Sequence, residues 1–252
     1  MFAMPHRFTT RLCGVLSLCC GTAIASAVVV AGPESASLVV AQNVITRGYY
    51  ETGVERLAQG DVEGAIASLQ QALAQYPNYP QARNALGRAL QQRGEVEAAI
   101  AQYREAIRLY PNYAEAYNNL GSALNAQGDR AGAVAAYGQA IRLNPNLAQA
   151  QYNFALLRQD EGSTAEAIAA LQETIRLNPN LAQAHDRLGA LLLTQGKVSE
   201  AIAAIREALR LNPNLAQAQF NLANNLQATG RQSEVVSIYQ AAVARNPNLS
   251  EA

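Results

Sequence analysis

Three asparagines recur in register along the chain: Asn153 follows Asn119 by one step of a sequence repeat, and Asn221 follows Asn153 by two such steps. A side-chain amide carries one acceptor oxygen and two donor hydrogens, so it can pair with a peptide backbone whatever the peptide's sequence. The constant step therefore predicts a row of amides on one surface, suited to binding an extended polypeptide. Ala85 and Arg187 stand at the same step and interrupt this row.

The chain lacks the residues that most enzymes and metal sites require. Its three cysteines, Cys13, Cys19 and Cys20, all lie in the first twenty residues, and only one histidine, His185, follows them. A metal site built from His and Cys therefore has no ligands in the body of the chain. No phosphate-binding glycine motif and no G-x-S-x-G nucleophile motif occurs in the sequence. We expect no catalysis, no cofactor and no bound metal.

The charge of the chain narrows the class of partner. Lys and Arg together number 19, Asp and Glu also number 19, and charged residues make up 15% of the sequence. Binding of nucleic acid requires a positive surface that neutralises phosphates, and no basic stripe is present. We expect a protein or peptide partner and no nucleic acid, with binding that depends weakly on salt.

A fixed period of about 34 residues, the length typical of one helical hairpin repeat, organises the body of the chain. Prolines repeat at this step, and a glycine stands 17 residues before each of them. The prolines are Pro77, Pro111, Pro145, Pro179, Pro213 and Pro247, and the glycines are Gly60, Gly94, Gly128, Gly162, Gly196 and Gly230. A period of this length with regular helix stops predicts stacked helical hairpins. Each glycine ends a first helix in a left-handed turn, and each proline ends a second helix.

The unit that starts at Ala114 illustrates the predicted hairpin. The first helix covers Ala114–Gln127, Gly128 makes the turn, and Asp129 caps a second helix over Arg130–Leu143. A series of small residues at one repeat position predicts that the two helices approach closely there. This series is Gly53, Gly87, Gly121, Ala155, Gly189 and Ala223.

Together these residues resemble the tetratricopeptide repeat. The matching positions of this unit are Tyr117, Leu120, Gly121, Leu124, Ala133, Tyr137, Ala140 and Pro145. The resemblance implies an all-α fold, a right-handed superhelical solenoid of six 34-residue helix-turn-helix repeats. The predicted repeats are residues 46–79, 80–113, 114–147, 148–181, 182–215 and 216–249.

The resemblance also implies a binding surface. In this family the groove lined by the first helices usually receives an extended peptide or a partner helix, so a scaffold or adaptor is expected. The candidate groove residues are Tyr50, Asn84, Arg88, Asn118, Asn119, Tyr152, Asn153, Asp186, Arg187, Phe220, Asn221 and Asn224. Alternatively, these positions vary only because nothing depends on them. The row of amides resembles the asparagine ladder of O-linked N-acetylglucosamine transferases, whereas the lysines of chaperone-tail clamps are absent.

Residues 1–41 have the pattern of a signal peptide. Arg7 and Arg11 precede an uncharged run over residues 12–31, and Val39-Val40-Ala41 offers small residues for cleavage before Gln42. Cleavage after Ala27 also fits. We expect an exported protein of a periplasmic or comparable compartment, acting in assembly of an exported or membrane complex. The alternative is an uncleaved membrane anchor formed by residues 12–31.

The C-terminal repeat suggests a second role. Its last helix, predicted over Arg231–Arg245, carries apolar residues such as Val236 and Tyr239 with no capping helix after them. Stacked repeats normally need a polar cap over the last apolar face. The alternative function is therefore a self-assembling structural protein, with weak homodimerisation through this helix.

Overall fold

The computed structural model describes residues 33–215 and Gly230, with side chains described from Thr46. The chain divides into two compact units, Met1–Val40 and Ala41–Ala252, and the first contributes only residues 33–40 to the described part. The described residues form ten α-helices and no strand. These are α1 (Pro33–Ala58), α2 (Val62–Gln75), α3 (Pro80–Arg93), α4 (Val96–Leu109), α5 (Ala114–Gln127), α6 (Arg130–Leu143), α7 (Ala148–Asp160), α8 (Thr164–Leu177), α9 (Ala182–Thr194) and α10 (Val198–Leu211).

The helices pack as consecutive hairpins. Helix α3 contacts α4, α5 contacts α6, α7 contacts α8, and α9 contacts α10. Each second helix also contacts the first helix of the next hairpin, and the first helices α3, α5 and α7 contact one another in order. In a repeat solenoid, each unit contacts only its neighbours along the chain. The predicted all-α repeat solenoid is therefore confirmed.

The turns within the hairpins have the predicted chemistry. All six glycines of the period have positive φ angles, from 71° at Gly196 to 92° at Gly128, a region that disfavours residues with a Cβ atom. Asp129 caps α6, because its carboxylate accepts a hydrogen bond of 2.9 Å from the Gly132 backbone N–H. The predicted bounds of α5 and α6 are also confirmed.

Replacing Asp129 by alanine is expected to lower the free energy of unfolding by about 1 kcal/mol, because a free N–H group of α6 loses its acceptor. Ser163 is the matched control: it stands at the same place before α8, but its side chain makes no capping hydrogen bond. Urea denaturation of the two alanine variants, followed by circular dichroism, measures the difference. Equal losses would show that the Asp129 cap contributes nothing.

Small residues let the two helices of a hairpin approach, as the sequence predicts. A Cβ atom added at Gly87 of α3 would lie 2.6 Å from Cε1 of Tyr103 in α4, and one added at Gly121 would lie 2.8 Å from the Tyr137 ring. Tyr103 is fully buried. The rings of the second helices therefore fill the space that the missing Cβ atoms leave on the first helices.

Both ends of the predicted organisation extend past the described residues. Helix α1 begins at Pro33, so the predicted new N-terminus, Gln42, falls inside this helix. The apolar run over residues 12–31 and the final helix predicted over Arg231–Arg245 lie outside the described residues. Signal cleavage, the anchor and the homodimer stay predictions. Among the described helices, none is long and apolar enough to cross a bilayer.

Candidate protein-binding groove

The first helices of four consecutive hairpins line a cavity of about 540 Å³, which we call the groove cavity. Its walls come from α1, α3 and α5, from the residue preceding α5, and from the start of α7. The lining residues are Tyr50, Val54, Gln81, Asn84, Ala85, Arg88, Tyr113, Glu115, Asn118, Asn119, Leu147 and Gln149. Five of the predicted groove residues thus lie around one space: Tyr50, Asn84, Arg88, Asn118 and Asn119.

Side-chain amides connect the hairpins along this cavity. Gln149, in the first turn of α7, donates from Nε2 to Oδ1 of Asn153, one turn further on, at 2.9 Å. Asn153 then donates from Nδ2 to Oδ1 of Asn118 in α5, at 3.0 Å. These two bonds connect α7 with the preceding first helix.

The same series of bonds continues into α3. Asn118 donates to Oδ1 of its neighbour Asn119 at 3.3 Å, and Asn119 donates to Oδ1 of Asn84 in α3 at 2.9 Å. Asn84 donates to the hydroxyl oxygen of Tyr113 at 3.3 Å. We call this unbroken series, which runs from Gln149 to Tyr113 with every donor pointing the same way, the amide chain.

Burial explains why the amides pair with one another. Asn84 and Asn118 are each only 7% exposed, and a buried amide without a partner would cost about 1–3 kcal/mol. Asn119 and Asn153 are half-buried, and each uses one N–H group in the amide chain. The second N–H group of each donates to no described residue and can therefore donate to another molecule. The amide chain therefore fixes the orientation of donors at the surface of the groove.

The groove cavity carries little charge. Arg88 and Glu115 are its charged lining residues, and both are exposed. Arg88 makes no ion pair with any described residue. Burial raises the pKa of Tyr113 to about 12, and the hydrogen bond from Asn84 offsets this rise in part. The Tyr113 hydroxyl is thus neutral at ordinary pH, and the cavity is suited to an uncharged stretch of polypeptide.

The remaining predicted residues that the structure describes do not line this cavity. Tyr152 is half-buried and packs against the core formed by α7, α8 and α9. On α9, Asp186 is half-buried and Arg187 is exposed. Phe220, Asn221 and Asn224 lie outside the described residues.

Sequence reasoning missed the residues at the ends of the repeats. Of the unforeseen lining residues, Gln81, Glu115 and Gln149 share the second position of the repeat unit, and Tyr113 and Leu147 share the last position. The same step that aligned the predicted residues would have found them. The predicted groove residues all stand further along the first helix of each repeat unit than the second position.

The described part of the chain contains no group of three or more His, Cys, Asp or Glu side chains that could hold a metal ion. Nε2 of His185 lies 2.9 Å from the backbone oxygen of Pro179, just before α9. The His185 ring therefore lies near the start of α9 and contacts the junction that connects α8 to α9.

Comparison with known families identifies the class of protein. Five overlapping segments match the family model described as Tetratricopeptide repeat: residues 50–114, 86–148, 118–182, 152–216 and 187–250. The chain belongs to the tetratricopeptide repeat family. Members of this family are generally non-enzymatic scaffolds. No curated protein matches the chain.

Several solved structures share the fold. PilF of Pseudomonas aeruginosa is 20% identical, with 82% of this chain and 94% of that chain covered and a TM-score of 0.74. MamA is 29% identical over 69% of this chain and 94% of its own, with a TM-score of 0.56. YrrB, described as a TPR protein with an unusual peptide-binding site, is 20% identical over 71% and 92%, with a TM-score of 0.60. These likenesses show the shared fold, and membership of the tetratricopeptide repeat family supports a protein-interaction scaffold in general.

Proposed function

We propose that the chain is a scaffold that binds an extended peptide or a partner helix in the groove cavity. The observation that carries this proposal is the amide chain, which spans three consecutive first helices. It includes Asn119, which lines the cavity, and Asn153, which is hydrogen-bonded to the lining residues Asn118 and Gln149, and each has one N–H group that donates to no described residue. Donors of fixed orientation lose little entropy on binding, because the protein has already ordered them.

The chemistry of the cavity favours recognition of a backbone over recognition of charge. Amide donors pair with peptide carbonyl groups irrespective of sequence. Tyr50 and Val54 add apolar surface on the α1 side of the cavity. Aromatic side chains are frequent among the residues that contribute most to binding energy. Specificity would then come from the side chains of the partner that meet this apolar wall.

The proposal includes a setting for the scaffold. The basic and apolar pattern of residues 1–41 supports export, with the helical repeats acting in assembly of an exported or membrane complex. The peptide-binding site named for YrrB supports a peptide as the partner. In this proposal the chain binds its partner without catalysing a reaction.

Site-specific photo-crosslinking tests the groove. A photoreactive amino acid placed at Arg88, exposed in the groove cavity, is expected to crosslink a partner in cells of the native host. The matched position is Arg104, an exposed arginine on α4 that does not line the groove cavity. A partner captured through position 104 and not through position 88 would place binding on another face and overturn the proposal.

A further inference from the structure

The junctions between repeats form a second surface, which differs along the chain. The first two junctions read Tyr-Pro-Asn-Tyr, at residues 76–79 and 110–113, whereas the next three read Asn-Pro-Asn-Leu. Tyr76 is 51% exposed and Tyr110 is 47% exposed. Exposed aromatic side chains of this size are therefore concentrated at the N-terminal junctions.

The tyrosines of each junction form a pair, and three of the four border a cavity of about 550 Å³, which we call the tyrosine cavity. The ring centroids of Tyr76 and Tyr79 are 6.1 Å apart, and those of Tyr110 and Tyr113 are 5.8 Å apart. Tyr76, Tyr79 and Tyr110 line the cavity itself. Two tilted aromatic pairs thus occupy consecutive junctions between hairpins.

The interval expected between these pairs is close to one turn of a known peptide conformation. One pair immediately precedes α3 and the other precedes α5, and these two helices are in contact. Packed helices lie about 8–10 Å apart. A polyproline II helix advances about 9 Å per turn, with three residues per turn and about 3.1 Å per residue. Each turn of such a peptide would therefore meet one tyrosine pair.

The polar groups of the tyrosine cavity also suit this conformation. No charged residue lines it, and the side chains of Asn78 and Gln81 form no hydrogen bond with any described residue. A proline-rich peptide is uncharged and offers backbone carbonyl groups but no N–H groups at its prolines. The surface that binds it must supply donors, which the two amides and the tyrosine hydroxyls provide.

We propose that the tyrosine cavity binds a proline-rich segment of a partner protein in the polyproline II conformation. Recognition of such segments by aromatic grooves is a general mode of peptide binding. The two cavities share Gln81 as a lining residue, and Tyr113, which pairs with Tyr110, lines the groove cavity. The test can still distinguish this proposal from the proposed function, because Tyr76 and Tyr110 line only the tyrosine cavity and Arg88 lines only the groove cavity.

Fluorescence anisotropy with a labelled decaproline peptide and the full chain tests the proposal. Saturable binding is expected, and the double variant Tyr76→Ala/Tyr110→Ala is expected to weaken it about tenfold or more. The control is Tyr49→Ala, because Tyr49 is 39% exposed on α1 but does not line the tyrosine cavity. Arg88→Ala, which alters the groove cavity, is expected to leave decaproline binding unchanged.

A second experiment tests whether an added tyrosine increases the affinity for polyproline. Asn144 occupies the junction position of Tyr76 and Tyr110, and its φ and ψ angles of −137° and 89° match those of Tyr110, −138° and 89°. Asn144→Tyr is expected to tighten binding of a longer polyproline peptide about threefold, because a third turn meets an aromatic ring. The proposal would be overturned if decaproline did not bind, or if the double variant bound it as tightly as the wild type. It would also be overturned if Asn144→Tyr gave no gain in affinity, or if the chain preferred a neutral oligosaccharide such as chitotetraose.

Discussion

Replacing Tyr103 by alanine is expected to lower the free energy of unfolding by about 3–5 kcal/mol, the usual cost of removing a large buried aromatic side chain. Tyr103 has no exposed surface, and its ring packs on the helix of Gly87. Its hydroxyl donates to Oε1 of Gln91 at 3.0 Å, and Gln91 donates in turn to the hydroxyl oxygen of Ser122 in the next hairpin. The substitution therefore creates a cavity and also removes a hydrogen bond from a series that joins two hairpins.

Urea denaturation measured by circular dichroism gives the loss, and Tyr110→Ala is the control. Tyr110 ends the same helix α4 but is 47% exposed, so its removal is expected to change the stability by about 0.5 kcal/mol or less. If both variants lost the same stability, the buried ring of Tyr103 would not be what holds α3 and α4 together.

The hairpin is the part of the fold that the sequence predicts best. The bounds of α5 and α6 follow from residues that lie next to them, since Gly128 ends one helix and Asp129 starts the other. Such signals act locally: a positive φ angle and a capped N–H group involve residues only a few positions apart. The constant period then repeats the same local solution along the chain.

The amide chain is harder to predict because it joins different positions of neighbouring repeats. Asn119 contacts Asn84, and Asn153 contacts Asn118, so each bond spans 35 residues, one more than the period. Alignment at the period itself places Asn119 and Asn153 in one row and hides their actual partners. Burial decides the pairing, since Asn84 and Asn118 are almost enclosed and need partners inside the protein.

Replacing Gly87 by alanine is also expected to lower the free energy of unfolding, because α3 and α4 approach closely at this residue. Gly87→Ala would place a Cβ atom 2.6 Å from Cε1 of Tyr103, whose ring is fully buried. Overpacking costs about 1–3 kcal/mol. Alanine is favoured over glycine inside a helix by about 1 kcal/mol, so a net destabilisation of up to about 2 kcal/mol is expected. Gly138→Ala in α6 is the matched control and is expected to stabilise the chain, because nothing lies within 4 Å of its added Cβ atom.

The fourth repeat shows how the same space can be filled differently. There Ala155 and Leu171 stand at the positions of Gly87 and Tyr103, so a larger residue on the first helix accompanies a smaller one on the second. Gly87→Ala/Tyr103→Leu is therefore expected to lose less stability than the two single variants together, with a coupling of about 0.5–3 kcal/mol. Strictly additive losses in urea denaturation would contradict this account, since they would mean that the added methyl group and the ring never compete for one space.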